Sequence, residues 1–320
     1  MDRKLSLSLD LFPSFHRRPH KPMKISNDRF EYVITRTIKA MGYSAILFVA
    51  LIFYFLLSEG IVTVGEVPLK NLLSTRWYPI EEHFGLLPLI GGSIIVTLGA
   101  MLVAIPVGLS TAIYIAEIAP RWAREILKSL VEMLGGLPSV VLGFLGILIL
   151  SPYLRIFLNL PTGLTALAGS ILLGGIALPT IISISEDALD AVPRSYRDAS
   201  LALGATQWQT IWHVTLPAAR SGVITAIMLG IGRAIGETMA VMMVTGNAPV
   251  LPTGLKYLFL PVRTMTATIA AEMGEVAKGS VHYHVLFFIG IVLFLISLII
   301  NITASSFVFR TSKRSERILS

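Results

Sequence analysis

Between Lys39 and Glu59 the chain runs for 19 residues, Ala40 to Ser58, without a charge. A helix needs about 20 such residues to cross a hydrocarbon layer about 30 Å thick, since each residue advances about 1.5 Å. Five further apolar runs follow, at 87–116, 133–150, 165–185, 218–245 and 285–309. Inside lipid every backbone donor and acceptor must be satisfied within the protein, which restricts spanning segments to helices or closed barrels. Runs this long predict helices. The expected fold is all-α: a polytopic membrane protein with six transmembrane helices.

Composition removes the main rivals. Hydrophobic residues make up 54% of the 320 and charged residues 14%, against about 25% charged in soluble domains. A soluble enzyme is therefore excluded. The formal net charge of +7 does not signal nucleic-acid binding, because the Lys and Arg residues have a topological pattern. Nineteen of the 26 fall in 1–39, 117–132, 186–220 and 310–320, six fall in the alternate connections, and Arg233 lies within the fifth run. Cytoplasmic flanks of membrane helices are enriched in Lys and Arg, so both termini are expected in the cytoplasm, with the protein in the cell inner membrane. Residues 1–37 mix Pro13, Pro19 and Pro22 with basic groups and are expected to form a mostly disordered tail. For its basic cluster, a solvated surface and contact with anionic membrane lipid both remain open. No stretch in the first 30 residues has the apolar length of a secretory signal, so the first span reads as an uncleaved anchor. A short tail, 311–320, closes the chain. With no cysteine there is no thiol chemistry.

The connection 186–217 is patterned like a folded element. Ser195 with Asp198, and Thr206 with Gln209, have the spacing of capping boxes that open helices. Gly204 between them can close the first helix in a left-handed conformation. Trp208, Ile211 and Trp212 stand at i, i+3 and i+4, one apolar stripe. That stripe could pack on the protein's own helices or on a partner.

Two ions lie near the middle of the fifth run, Arg233 and Glu237, where each costs about 3 kcal/mol on insertion scales. Four residues apart on one helix they would share a face and could neutralise one another. Alternatively, the guanidinium faces an anion, which its planar donors grip by two oxygens, with Thr238 adding a hydroxyl. Gly232, Gly236 and Ala240 form one small-residue stripe; Gly222, Ala226, Gly230 and Ala234 form another. Pro106, Pro138 and Pro179 are expected to kink their helices. Gly136, Pro138 and Ser139, following Gly135, are the candidates for backbone lining a pathway. His282 and His284 have no carboxylate or third histidine near them in sequence and read as helix-end residues, not metal ligands. No Gly-x-x-x-x-Gly-Lys-Ser/Thr loop is present to cradle a nucleotide.

Permeases of ATP-binding-cassette importers carry a loop of the form Glu-Ala-Ala, three residues, Gly, nine residues, Ile, one residue, Leu-Pro. Here Asp198, Ala199 and Ser200, then Gly204, Val214, Leu216 and Pro217 match every interval. With Gly136 to Phe144 (GLPSVVLGF), Gly232 to Val241 (GRAIGETMAV), and Trp77 with Pro79, the chain resembles the phosphate importer permeases, most closely the PstC type, over roughly residues 30 to 310. The resemblance implies a type I, MetI-like architecture in residues 38–310. It also implies a sister PstA-type permease, a PstB-type ATPase dimer, an external PstS-type phosphate-binding protein, and phosphate as substrate. It places phosphate-handling charges at Arg233 and Glu237. The helix about Thr206 to His213, with Trp208, Ile211 and Trp212, becomes the coupling helix seated in the ATPase. No cofactor or nucleic acid is expected, and the chain is a non-catalytic subunit. Alternatives are the sister permease type, another oxyanion, or an intramembrane enzyme using Glu237 as acid or base on an anionic lipid.

Overall fold

The computed structural model describes residues 28–319. Helix α1 (Asp28–Gly60) opens the described chain; one compact unit ends at Ile52, and the other starts at Phe53 and holds all later elements. Residues 28–37, expected in the tail, are helical, and the rest of that tail lies outside the described residues. Two short helices follow, α2 (Val62–Glu66) and α3 (Leu69–Leu72). A hairpin of β1 (Trp77–Tyr78) and β2 (His83–Phe84) pairs antiparallel, Trp77 opposite Phe84.

Helix α4 (Leu87–Ile113) widens into a π-helical turn, Tyr114–Ile118, in which Ala119 N–H reaches back five residues to the Tyr114 carbonyl at 2.8 Å. Next come α5 (Arg121–Gly136) and α6 (Ser139–Leu145), the latter running through a second π turn into α7 (Ser151–Phe157). Helix α8 (Ala166–Asp190) is followed by α9 (Arg194–Ala202), α10 (Gln207–Thr210) and a third π turn, Ile211–Thr215. The remainder is α11 (Leu216–Gly236), α12 (Met239–Val244), α13 (Met265–Glu272) and α14 (Val281–Leu319).

Among the described residues six stretches are long and apolar enough to span a membrane; each overlaps an expected run, the first being longer at both ends, Glu31–Glu66, and the third and fifth being set by helix breaks. The third is Ser139–Phe157 instead of 133–150. Leu137 precedes Pro138, whose ring drives it into an extended conformation, so α5 stops at Gly136 and Met133 belongs to that earlier helix. The fifth is Gln207–Gly236 instead of 218–245, because Thr206 starts the helix early and the backbone turns extended at Glu237.

The second unit is organised around α8. Val96, Ala100 and Ala104 of α4 pack with Leu173, Ala177 and Ile181 of α8. A Cβ on Gly99 would collide with the Ser170 side chain, and one on Gly108 with Ile181. Ser170 Oγ uses this close approach to donate to the Val96 carbonyl at 3.2 Å. Helices without a hydrophobic drive between them associate through such small-residue contacts. On another face of α8, Gly222 and Gly230 of α11 abut Ala188 and Ile181, with Ala226 and Ala234 buried. The stripe of Gly232, Gly236 and Ala240 is different, since Gly232 and Gly236 meet nothing within 4 Å. Pro106 and Pro179 remain inside unbroken α4 and α8; only Pro138 interrupts its helix.

At the end of the bundle bearing the β hairpin, Glu272 holds three elements together. One oxygen accepts from Trp77 Nε1 (3.2 Å) and pairs with Arg263 (2.7 Å), and the other meets His282 Nε2 at 2.8 Å. His284 similarly meets Glu66 at 2.9 Å and Glu59 at 3.7 Å. Both histidines thus meet carboxylates from other elements, and both lie in the first turn of α14, the helix-end position expected for them. Burial opposes ionisation of Glu272, but the His282 hydrogen bond, the Arg263 guanidinium and Trp77 outweigh it and hold the carboxyl below its ordinary value.

Two outcomes are expected. Gly99→Leu should overpack the α4–α8 contact at about 1–3 kcal/mol, lowering the thermal midpoint of the purified protein, whereas Gly175→Ala, with nothing within 4 Å, should not. Because the Glu272 pKa is depressed, its contribution is present above the unfolded carboxyl's value of about 4.3 and lost as pH falls through the folded value. Glu272→Gln should flatten that part of the stability profile on acid titration.

Candidate functional site

Two interrupted helices meet beside α8. The first break is Leu137–Pro138, both extended, with Pro138 capping α6 and Ser139 its first residue. The second break is Glu237–Thr238, between α11 and α12. Helix α12 lies on α6, since a Cβ on Gly143 would meet Ala240 Cα and Met243 Sδ, each at 2.9 Å. Gly135, next to Gly136 at the first break, faces Pro179 of α8. Thr180, the following residue, accepts a hydrogen bond from Arg233 Nη1 at 3.2 Å.

The second break corrects the expected charge pair. Glu237 lies beyond the end of α11 and does not share a helix face with Arg233. Its Oε1 accepts from the backbone N–H groups of Thr238 (3.2 Å) and Ala240 (3.3 Å). These are orphan donors of a helix start, so Glu237 caps α12. Thr238 Oγ1 donates to the Gly236 carbonyl at 3.3 Å, and Thr266 Oγ1 of α13 donates to the Glu237 carbonyl at 3.1 Å. Arg233 pairs with no carboxylate among the described residues, and its side chain is exposed at the surface of this single chain. An unpaired guanidinium beside a hydroxyl, on the turn that precedes the second break, is suited to a small multivalent anion. Thr180 accepts through its oxygen, which leaves the hydroxyl proton for a second acceptor.

The connection 186–217 builds a second part of the site at the opposite end of the bundle from the hairpin. Helix α9 starts from Pro193 with no side-chain cap, so the expected Ser195–Asp198 box does not form. It closes at Gly204, φ +85°, with Ala205 N–H to the Ser200 carbonyl (3.2 Å) and Gly204 N–H to the Leu201 carbonyl (2.9 Å), a Schellman closure. The Thr206–Gln209 capping box forms in both directions, at 3.3 and 2.8 Å. Ser200 and Thr210 join the two short helices through their hydroxyls at 2.9 Å. Asp198 and Ala199 face solvent. Leu216 and Pro217 form the first turn of α11, where a proline is tolerated.

The apolar stripe divides. Ile211 is 1% exposed while Trp208 and Trp212 are 59% and 45% exposed, their rings edge to face at 5.6 Å. At about 100° per residue, positions i and i+4 lie on one side of the helix and i+3 well round from i+4, so Ile211 turns into the bundle and the tryptophans turn out.

Arg197 and Glu117 were not singled out from sequence. Arg197 Nε contacts both Glu117 oxygens at 3.1 Å and Nη2 reaches one at 2.6 Å; the guanidinium also donates to the Val192 and Leu189 carbonyls at 2.6 and 2.8 Å. Gln207 Nε2 donates to the Glu117 carbonyl at 2.9 Å. Thr180 and Thr266 were likewise missed, since an isolated threonine in an apolar run carries no sequence signal.

Residues 104–314 match the family of binding-protein-dependent transport system inner membrane components. The chain is 44% identical over 241 residues to "Probable ABC transporter permease protein YqgH" of Bacillus subtilis, covering 75% of this chain and 77% of that one. It is 35% identical over 260 residues to "Phosphate transport system permease protein PstC" of Xylella fastidiosa, covering 75% and 79%. Among solved structures, the MetNI methionine ABC transporter superposes with TM-score 0.55 at 19% identity, over 74% of this chain and 99% of that one. A bacterial alginate ABC transporter superposes with TM-score 0.59 at 15% identity, over 91% and 98%. These two likenesses speak to the fold.

Glu237→Ala should remove the cap of α12 at about 1 kcal/mol, while Glu237→Gln, keeping an acceptor oxygen, should lose less. Thermal unfolding of the purified protein in detergent reads the difference.

Proposed function

Since the chain belongs to the family of binding-protein-dependent transport system inner membrane components, and is a permease component with no catalytic chemistry of its own, we propose that it is the PstC-type half of an ATP-driven importer of inorganic phosphate. The observation that carries the phosphate reading is Arg233, a permanent cation with no carboxylate partner among the described residues, hydrogen-bonded to Thr180 beside two helix breaks. Similarity to curated phosphate permeases supports it. In this reading Arg233 and Thr180 meet phosphate on its way through the membrane, with the backbone at Gly136, Pro138 and Ser139 lining the approach and Thr238 closing the break. Glu237 holds α12 in place and leaves the guanidinium available.

The partners are a PstA-type sister permease that completes the pathway, a PstB-type ATPase dimer, and a PstS-type binding protein delivering phosphate from outside. The Lys and Arg distribution supports an orientation with both termini and the 186–217 connection in the cytoplasm. There Asp198, Ala199, Gly204 and the exposed Trp208 and Trp212 face the ATPase, while Ile211 and Leu216 anchor the loop to the bundle and Pro217 opens α11.

The test is uptake into proteoliposomes carrying the assembled complex. Arg233→Gln should lower phosphate transport about 10- to 100-fold, the loss of charge-assisted hydrogen bonds worth about 1.5–3 kcal/mol, at unchanged complex yield. Arg233→Lys should fall between, because the forked geometry is lost but the charge stays. Normal uptake by Arg233→Gln would remove Arg233 from the pathway.

A further inference from the structure

We infer that the Arg197–Glu117 pair is the joint through which movement of the 194–217 connection is passed to the helices that carry the anion site. This inference rests on the reading of the chain as an ATP-driven permease. The two residues are 80 apart in sequence, and their side chains are 18% and 7% exposed. One guanidinium grips three groups at two places: the Glu117 carboxylate on the π turn ending α4, and the Leu189 and Val192 carbonyls at and just past the end of α8. The second short helix is tied to the same point, because Gln207 of α10 donates to the Glu117 main-chain carbonyl.

The location gives this contact more than a fastening role. Thr180, which holds Arg233, lies nine residues before Leu189 on α8, about 14 Å along the helix axis. A pull on Arg197 therefore acts on the end of the helix that positions the anion partner, and through Glu117 on α4 packed along it. Beside the pair is a cleft of about 600 Å³ lined by Arg124, Asp190, Arg194, Asp198 and Gln207 among others, so the connection has room to swing about the joint. Glu117 and the exit of α10 both sit on π turns, wider turns that recur at functional sites in helices. Arginine suits the task because its fork fixes direction as well as distance, which a lysine ammonium does not.

The experiment uses the whole complex, with the sister permease, the ATPase dimer and the binding protein, in proteoliposomes supplied with inorganic phosphate and ATP. Phosphate moved per ATP hydrolysed is measured for Glu117→Gln, Arg197→Gln, Arg197→Lys and the exchanged pair Glu117→Arg with Arg197→Glu, together with the yield of assembled complex. A transmitting joint predicts that the single variants hydrolyse ATP but move less phosphate per ATP, by about fivefold or more, the low end of ordinary coupling factors. Arg197→Lys should be the mildest and the exchanged pair should recover part of the ratio. A wild-type ratio in the assembled single variants overturns the inference, whether or not their yield falls, because a purely structural contact lowers yield alone. A wild-type complex that hydrolyses ATP without moving phosphate overturns the phosphate reading itself, and is seen before any variant is made.

Discussion

A helix interrupted inside an apolar bundle releases backbone donors and acceptors that water cannot reach, and the arrangement of this protein follows from how those groups are satisfied. At the break after Gly236 side chains take up four of these groups. Glu237 turns its carboxylate onto two N–H groups of the next helix, Thr238 covers one carbonyl, and Thr266 reaches across from α13 to cover another. That solution also settles the electrostatics. The Glu237 carboxylate is directed at α12 and no ion pair joins it to Arg233, which takes Thr180 as its neighbour.

The same economy runs through the packing of α8. Its small residues and those of α4 and α11 bring three backbones close enough for Ser170 to bond a carbonyl of the facing helix. Such closeness makes the bundle stiff, and stiffness is what allows a contact at one end of α8 to be felt at Thr180. The polar groups at the two ends are correspondingly concentrated: Glu272 with Trp77, Arg263 and His282 at one, Arg197 with Glu117 at the other.

Much of this was legible in the residues. Uncharged runs mark spans because lipid tolerates little else, and the Thr206–Gln209 box and the left-handed Gly204 were readable because capping depends on residues three or four apart. Legibility fails where geometry overrides periodicity. Pro138 interrupts a helix that its apolar neighbours would continue on hydropathy alone, and Glu237 stands four residues after Arg233 without sharing a helix with it. The Arg197–Glu117 pair has no sequence signature at all, since two charges 80 residues apart meet only once α4, α8 and α9 are folded.

Residues 207 to 236 form one helical rod of 30 residues, about 45 Å long, broken in its hydrogen-bond ladder only by the wide turn at Ile211–Thr215. The exposed tryptophans and Arg233 are thus mounted on a single lever. Trp212 and Arg233 are separated by about 32 Å of helix; pivoted near the wide turn, a tilt of about 10° displaces the guanidinium by about 5 Å, more than the reach of a hydrogen bond. Separating Arg233 from the Thr180 hydroxyl by such a tilt unwinds no helix, but it means parting α11 from α8 where Gly222 meets Ala188 and Gly230 meets Ile181.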